Sequence, residues 1–181
     1  MTGPHRIKTD IIERFNMTEI GLNAFRLLSI AAILSLLFCF GGSGDPESIN
    51  DNIFDRTDLR GANLSGMDLS GANLNQSDLR DVSLKNADMS NAYLISAWLA
   101  GADLTEAKLS GADLTGADLS GAILKGADLT ETTLWGAKMS EAELMESDLT
   151  KADLTRADLS DADLTGAELT NARLFRTDLS G

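Results

Sequence analysis

Few side chains in this sequence have the types that run reactions, and their spacing sets what they can do. The only histidine is His5 and the only cysteine is Cys39. A lone cysteine forms no intramolecular disulfide, and Leu36, Leu37 and Phe38 before it lack the small residue of a lipoprotein site. The remaining candidates are carboxylates and hydroxyls. From Asp58 to Ser180 an Asp or Asn is often followed two residues later by Ser or Thr, as in Asp113 and Thr115 or Asp128 and Thr130. Such pairs suit a cation or ligand ladder. General acid–base work needs carboxyls tuned by burial, and nothing in this polar pattern provides it. No glycine-rich phosphate loop and no metal-ligand spacing occurs. The expectation is a non-enzymatic protein, with no catalytic, metal or cofactor site.

The elements that carry these residues repeat every five positions. Leucine stands at 59, 64, 69, 74, 79 and 84, gives way to Met89, resumes from Leu94 to Leu134, gives way to Met139, and runs on from Leu144 to Leu179. Two residues before each Leu stands mostly Ala, as in Ala102, Ala112 and Ala117. After the Leu come Ser or Thr and then often Gly. A step of five on an α-helix turns about 140° and smears the leucines around its axis. On a flat strand an odd step alternates faces. A coil that bends once per pentad buries every Leu, and stacked coils pair their backbones in parallel at about 4.8 Å. The Ala must be small because the interior is narrow, and Gly suits the bend. Leu104, Leu109, Leu114, Leu119, Leu124 and Leu129 are the expected core ladder.

The 25 consecutive pentads, 57–181, resemble the pentapeptide-repeat family with its A(D/N)LXX pattern. The resemblance implies an all-β fold, a right-handed quadrilateral parallel β-helix with four pentads per coil and about six coils, roughly 30 Å long. Met67, Ser77, Val82, Ser83, Thr132 and Thr133 depart from the pattern. Residues 45–56 read as a linker and imperfect cap.

Four pentads per coil stack residues twenty apart. One face then carries Asp68, Asp88, Lys108, Asp128, Asp148 and Glu168, beside the hydroxyls of Ser70, Ser90, Ser110, Thr130, Thr150 and Thr170. Solvated carboxylates at that spacing repel by only about 1 kcal/mol and need no metal. Tyr93, Ile95, Trp135 and Phe175 share another face, with Trp98 on the adjoining side; these are the candidate protein contacts.

The N-terminus is different in kind. Residues 1–26 are charged, with Arg6, Lys8, Arg14 and Arg26 against Asp10, Glu13 and Glu19. Residues 27–44, LLSIAAILSLLFCFGGSG, carry no charge and lie between a signal h-region and a full span in length. Arg26 before them fits positive-inside ordering. An apolar helix here serves as a removed signal peptide, beginning at Met1 or Met17, or as a retained anchor; the other reading is a buried cap on the solenoid. The chain's net charge is −13, and all of the excess acid follows Arg26. That disfavours nucleic acid as a partner and leaves contact with the membrane to residues 27–44.

Two functions compete. The first is an exported or membrane-tethered structural and interaction module, on the periplasmic or thylakoid-lumen side, with an unknown protein partner. The second, which the resemblance suggests, is a cytoplasmic DNA mimic that binds DNA gyrase. Leu164, Leu169, Leu174 and Leu179 of the last pentads call for a cover, and a C-terminal end-to-end homodimer is the expected one.

Overall fold

The structure, a computed structural model, describes residues 56–181. The proposed linker up to residue 55, the apolar segment 27–44 and the charged segment 1–26 lie outside the described residues. Each pentad contributes one short parallel bridge, and each bridge joins a residue to the one 20 positions on, from Asp58↔Asp78 through Asp158↔Asp178. A shift of 20 residues is four pentads, so one turn of the solenoid has four sides.

A single pentad shows why the sequence folds this way. In the five residues 118–122 the N–H of Asp118 donates to Ala97 O of the preceding coil, at 2.9 Å. The N–H of Leu119 donates to Lys138 O of the following coil at 2.7 Å, and that of Gly121 to Ser140 O at 2.9 Å. Ala122 N–H closes the corner on Leu119 O at 3.0 Å. The fifth N–H, that of Ser120, has no backbone acceptor. The Asp118 carboxylate accepts it at 3.1 Å, together with the Ser120 hydroxyl at 2.7 Å. Every N–H of the pentad is thereby bonded, as a backbone without helix or long strand requires. The Asp–x–Ser/Thr spacing is a chain of Asx turns, not a solvated ladder. It recurs at Asp68, Asp88, Asp103, Asp113, Asp128, Asp148, Asp153, Asp158, Asp163 and Asp178, and Asn63 and Asn73 do the same with amide oxygens.

The corner is a turn whose second central residue alone has positive φ, the type II arrangement that favours Gly. Glycines fill it at φ of +62° to +74° from Gly61 to Gly166. Fifteen non-glycine residues also fill it, among them Glu141, Lys151 and Arg156.

Leucines and alanines point inward. Leu104, Leu109, Leu114, Leu119, Leu124 and Leu129 are at most 1% exposed, and Met89 and Met139 are buried in the same slot. Val82, Ser77, Thr132 and Ser147 are buried in the alanine slot. Polar intruders there are satisfied: Thr132 Oγ1 donates to Leu109 O at 2.9 Å and Ser147 Oγ to Leu144 O at 2.8 Å. In the last coil the cover thins, and Leu174 and Leu179 are 40% and 51% exposed. Among the described residues no helix is long and apolar enough to cross a membrane.

Candidate functional site

A solenoid that bonds its own backbone offers partners only its side chains. Among the described residues no group of three or more His, Cys, Asp or Glu side chains could hold a metal ion. Most of the bridge-slot aspartates are taken up by the fold. The Ser90 hydroxyl holds the Asp88 carboxyl below the usual range, and the Thr165 hydroxyl does the same for Asp163. The Arg80 guanidinium holds Asp78 down, with Arg80 Nη2 at 2.6 Å from its carboxylate. The hydroxyl file from Ser70 to Thr170 is partly linked to itself, with Ser110 Oγ and Thr130 Oγ1 2.8 Å apart. These features account for stability.

The large apolar side chains are the exception. Tyr93 is 52% exposed, Ile95 36%, Trp98 51%, Trp135 42% and Phe175 65%. The 20-residue register puts Ile95, Trp135 and Phe175 in one file, the position just after the core Leu. The same file also holds Asn75, Thr115 and Thr155, so polar and apolar rungs alternate coil by coil. Tyr93 sits on that side in the bridge position, paired with Asn73 and Asp113. Trp98 belongs to the next side, paired with Asp78 and Asp118. The structure therefore gathers four of the five residues on one side and leaves Trp98 around the corner.

The alternation has a local cause. Coils with a polar rung carry an Asx acceptor two residues earlier: Asn73 for Asn75, Asp113 for Thr115, Asp153 for Thr155. Coils with an apolar rung carry Tyr93, Thr133 and Arg173 there instead. For Ile95 the missing acceptor comes from the coil below, where Asn75 Oδ1 takes its N–H at 2.7 Å.

Each aromatic except Tyr93 has a guanidinium over its ring. Arg80 lies 5.8 Å from the Trp98 centroid, Arg156 5.4 Å from Trp135, and Arg176 5.3 Å from Phe175. These are cation–π distances. Arg80 is also paired with Asp78, whereas Arg156 and Arg176 form no ion pair with the described residues. Arg173, on the same side, reaches Asp153 at 3.1 Å and is 71% exposed. The aromatic positions were readable from the sequence. The arginines were not, because only the corner geometry turns Arg156 and Arg176 back over the rings. Their signal was a basic residue in the glycine slot of an acidic chain.

The model of "Pentapeptide repeats (8 copies)" matches residues 53–91, 87–126, 122–161 and 142–181. No curated protein matches the chain. Among solved structures, one similar protein is HetL, a pentapeptide repeat protein involved in heterocyst differentiation regulation from the cyanobacterium Nostoc sp. strain PCC 7120. It is 34% identical, over 66% of this chain and 60% of its own, with a TM-score of 0.45. The match thus spans less than two thirds of HetL. A pentapeptide repeat protein of the Arabidopsis thaliana thylakoid lumen is 33% identical over 68% of this chain and 79% of its own, with a TM-score of 0.30. Rfr23 from the cyanobacterium Cyanothece 51142 is 25% identical over 64% and 90%, also at 0.30. The five-residue period, the 20-residue bridge register and the match of the family model along the whole array make one case: the chain belongs to the pentapeptide repeat family.

Proposed function

We propose that the chain is a non-enzymatic interaction module, held at or beyond a membrane by residues 27–44, that binds a protein partner through Tyr93, Ile95, Trp135 and Phe175, with Trp98 at the edge. One observation carries the contact part. In an array whose consensus Ala, Leu and Asp side chains fill the core or bond the backbone, these aromatics do neither and are 42–65% exposed. Exposed aromatics with arginine beside them are the composition of contact hot spots. The membrane part rests on the uncharged run 27–44 after Arg26. Exposed Leu174 and Leu179 support an end-to-end pairing of two copies as a second contact.

The competing reading, a cytoplasmic DNA mimic for gyrase, draws on the acid file Asp68, Asp88, Asp128, Asp148 and Glu168. It fits poorly with the basic side formed by Arg156, Arg173 and Arg176. A reporter enzyme that works only outside the cytosol, fused after Gly181, tests the choice. It is expected to be active. A reporter active only in the cytosol overturns the membrane part and favours the mimic.

A further inference from the structure

We propose that the side bearing Ile95, Trp135 and Phe175 binds an acidic polypeptide segment in the polyproline II conformation, lying along the solenoid axis. The inference deepens the contact reading above by naming the chemistry of the partner. It rests on three observations that coincide on this side.

The first is spacing. The three apolar rungs are separated by 40 residues each, which is two coils. Coils stack at about 4.8 Å, so the rungs recur at about 9.6 Å. A polyproline II helix has three residues per turn at about 3.1 Å each and returns the same side chain to one face about every 9.3 Å. An extended β-strand repeats its face at about 6.7 Å and loses register with the rungs at once. The backbone on this side is already bonded to its own coils, so adding a strand has no free edge to use. Apolar platforms that grip successive turns of a preformed helix need no such edge.

The second is charge. Arg156 and Arg176 are neighbours in one file, about 4.8 Å apart along the axis, and neither has a carboxylate partner among the described residues. Arg173 adds a third exposed cation beside them. Arg173 is held by Asp153 and Asp113 shares the side, so Arg156 and Arg176 are the two cations left to complement an acidic ligand on a chain with a net charge of −13.

The third is backbone conformation. In that file Gly116 and Gly136 precede Arg156 and Arg176, and all four have positive φ. An L-residue is strained there and Gly is not. The two arginines hold φ of 62° and 60° with no ion pair to offset the strain. What they gain is a place over Trp135 and Phe175, at 5.4 and 5.3 Å.

The bound segment then sets one apolar residue per turn between the rings and points carboxylates at the arginines. The test uses the full-length chain in mild detergent, titrated with synthetic 12-residue peptides while Trp fluorescence and heat are followed. A Pro-Pro-Glu repeat is expected to bind, and to weaken as salt rises. A Gly-Ser-Glu repeat of equal charge and a Pro-Pro-Lys repeat are expected to bind at least roughly ten-fold more weakly. Trp135→Ala, Phe175→Ala, and Arg156→Gln with Arg176→Gln should each cost roughly ten-fold, whereas Lys125→Ala, at an exposed position on a different side, leaves binding unchanged. Equal binding of the Gly-Ser-Glu repeat overturns the polyproline II part. Tighter binding of oligothymidine than of the Pro-Pro-Glu repeat overturns the polypeptide. Equal loss in Lys125→Ala overturns the site. A photo-crosslinker placed at Thr115 in cells separates this inference from the reading it rests on. Crosslinks to a partner that vanish in Phe175→Ala, with no peptide binding, overturn the ligand chemistry and leave the contact surface standing.

Discussion

Asp118 offers a direct measurement of what the repeated carboxylate contributes. If outward Asp served only solvation, Asp118→Ala would leave stability unchanged. In the structure Asp118 is half-buried, and its Oδ1 accepts Ser120 N–H at 3.1 Å and Ser120 Oγ–H at 2.7 Å. The hydroxyl can turn to water, because Ser120 is also only half-buried. The N–H is fixed by the corner and has no backbone acceptor to replace the carboxylate. A hydrogen bond to a charged group contributes about 1.5–3 kcal/mol net, and partial exposure lowers that to about 1–2 kcal/mol for this site. Asp118→Asn keeps an oxygen in place, as Asn63 and Asn73 do, and should cost at most about 0.5 kcal/mol. Leu119→Ala next door, in a fully buried slot, should cost about 2–5 kcal/mol. Leu119→Asp buries an unpaired carboxylate and should not fold. Urea unfolding of the full-length variants, followed by circular dichroism, gives the order. Equal midpoints for Asp118→Ala and Asp118→Asn would refute the Asx account. A folded Leu119→Asp would refute the inward register.

The other expectations follow from the same corner. Asp88, Asp163 and Asp178 have carboxyl values held down by Ser90, Thr165 and the Ser180 N–H, so their folded pKa lies below the unfolded one. Their contribution is complete above an unfolded value of about 3.9 and is lost as pH falls through the lowered folded values; changing all three to Asn should lower stability at pH 7 and flatten the acid limb of a stability–pH curve, with little change at low pH. At the corner, Glu141→Gly should raise stability by about 0.5–1 kcal/mol and Gly121→Ala should lower it by about 1 kcal/mol, read as thermal midpoints. Glu141 has φ of 59°, and a Cβ at Gly121 meets nothing within 4 Å, so both effects are purely backbone. Phe175→Lys with Leu179→Lys should convert a sedimenting dimer to a monomer with the middle coils intact; a wild-type monomer at tens of micromolar would remove the end-to-end contact.

The fold was legible because one slot is nearly invariant. A Leu every fifth residue cannot be buried by a helix or a flat strand, and only a coil that bends at each pentad remains. The number of sides was not legible from the period: a step of five fits any number of corners, and the bridge shift from Asp58 to Asp78 decides it. The meaning of Asp was misleading for a physical reason. A residue whose neighbours on both sides point inward must itself point out, which suggests solvation. The missing fact was that Ser120 and its equivalents have N–H groups no backbone carbonyl can reach. The candidate contact residues were legible as apolar types in polar slots. Their guanidinium partners depend on which way a left-handed corner throws its side chain, and no spacing rule contains that.

The consensus also says where function has to be sought. A pentad that matches A-D-L-S/T-G fills its core and bonds all five of its N–H groups, so nothing in it is left to recognise a partner. Information can enter only where the pattern is broken at an outward slot. Departures in the inward slots, such as Val82, Ser77 and Thr132, are buried and concern packing. Departures in the outward slots occur on several sides, and the large exposed apolar ones gather on the side of Tyr93, Ile95, Trp135 and Phe175. Three of its coils give up the Asx acceptor, and each of those three places a large apolar side chain where Ser or Thr belongs. Losing an N–H acceptor costs about 1–2 kcal/mol, and a left-handed arginine costs about as much again. The lost acceptors recur at a two-coil interval, at Tyr93, Thr133 and Arg173, while the left-handed arginines follow Thr155 and Phe175 in adjacent coils, so the two departures meet in the Phe175 coil. A lost acceptor and an apolar rung that recur together every second coil are better explained by a ligand with that interval than by drift in a tolerant surface.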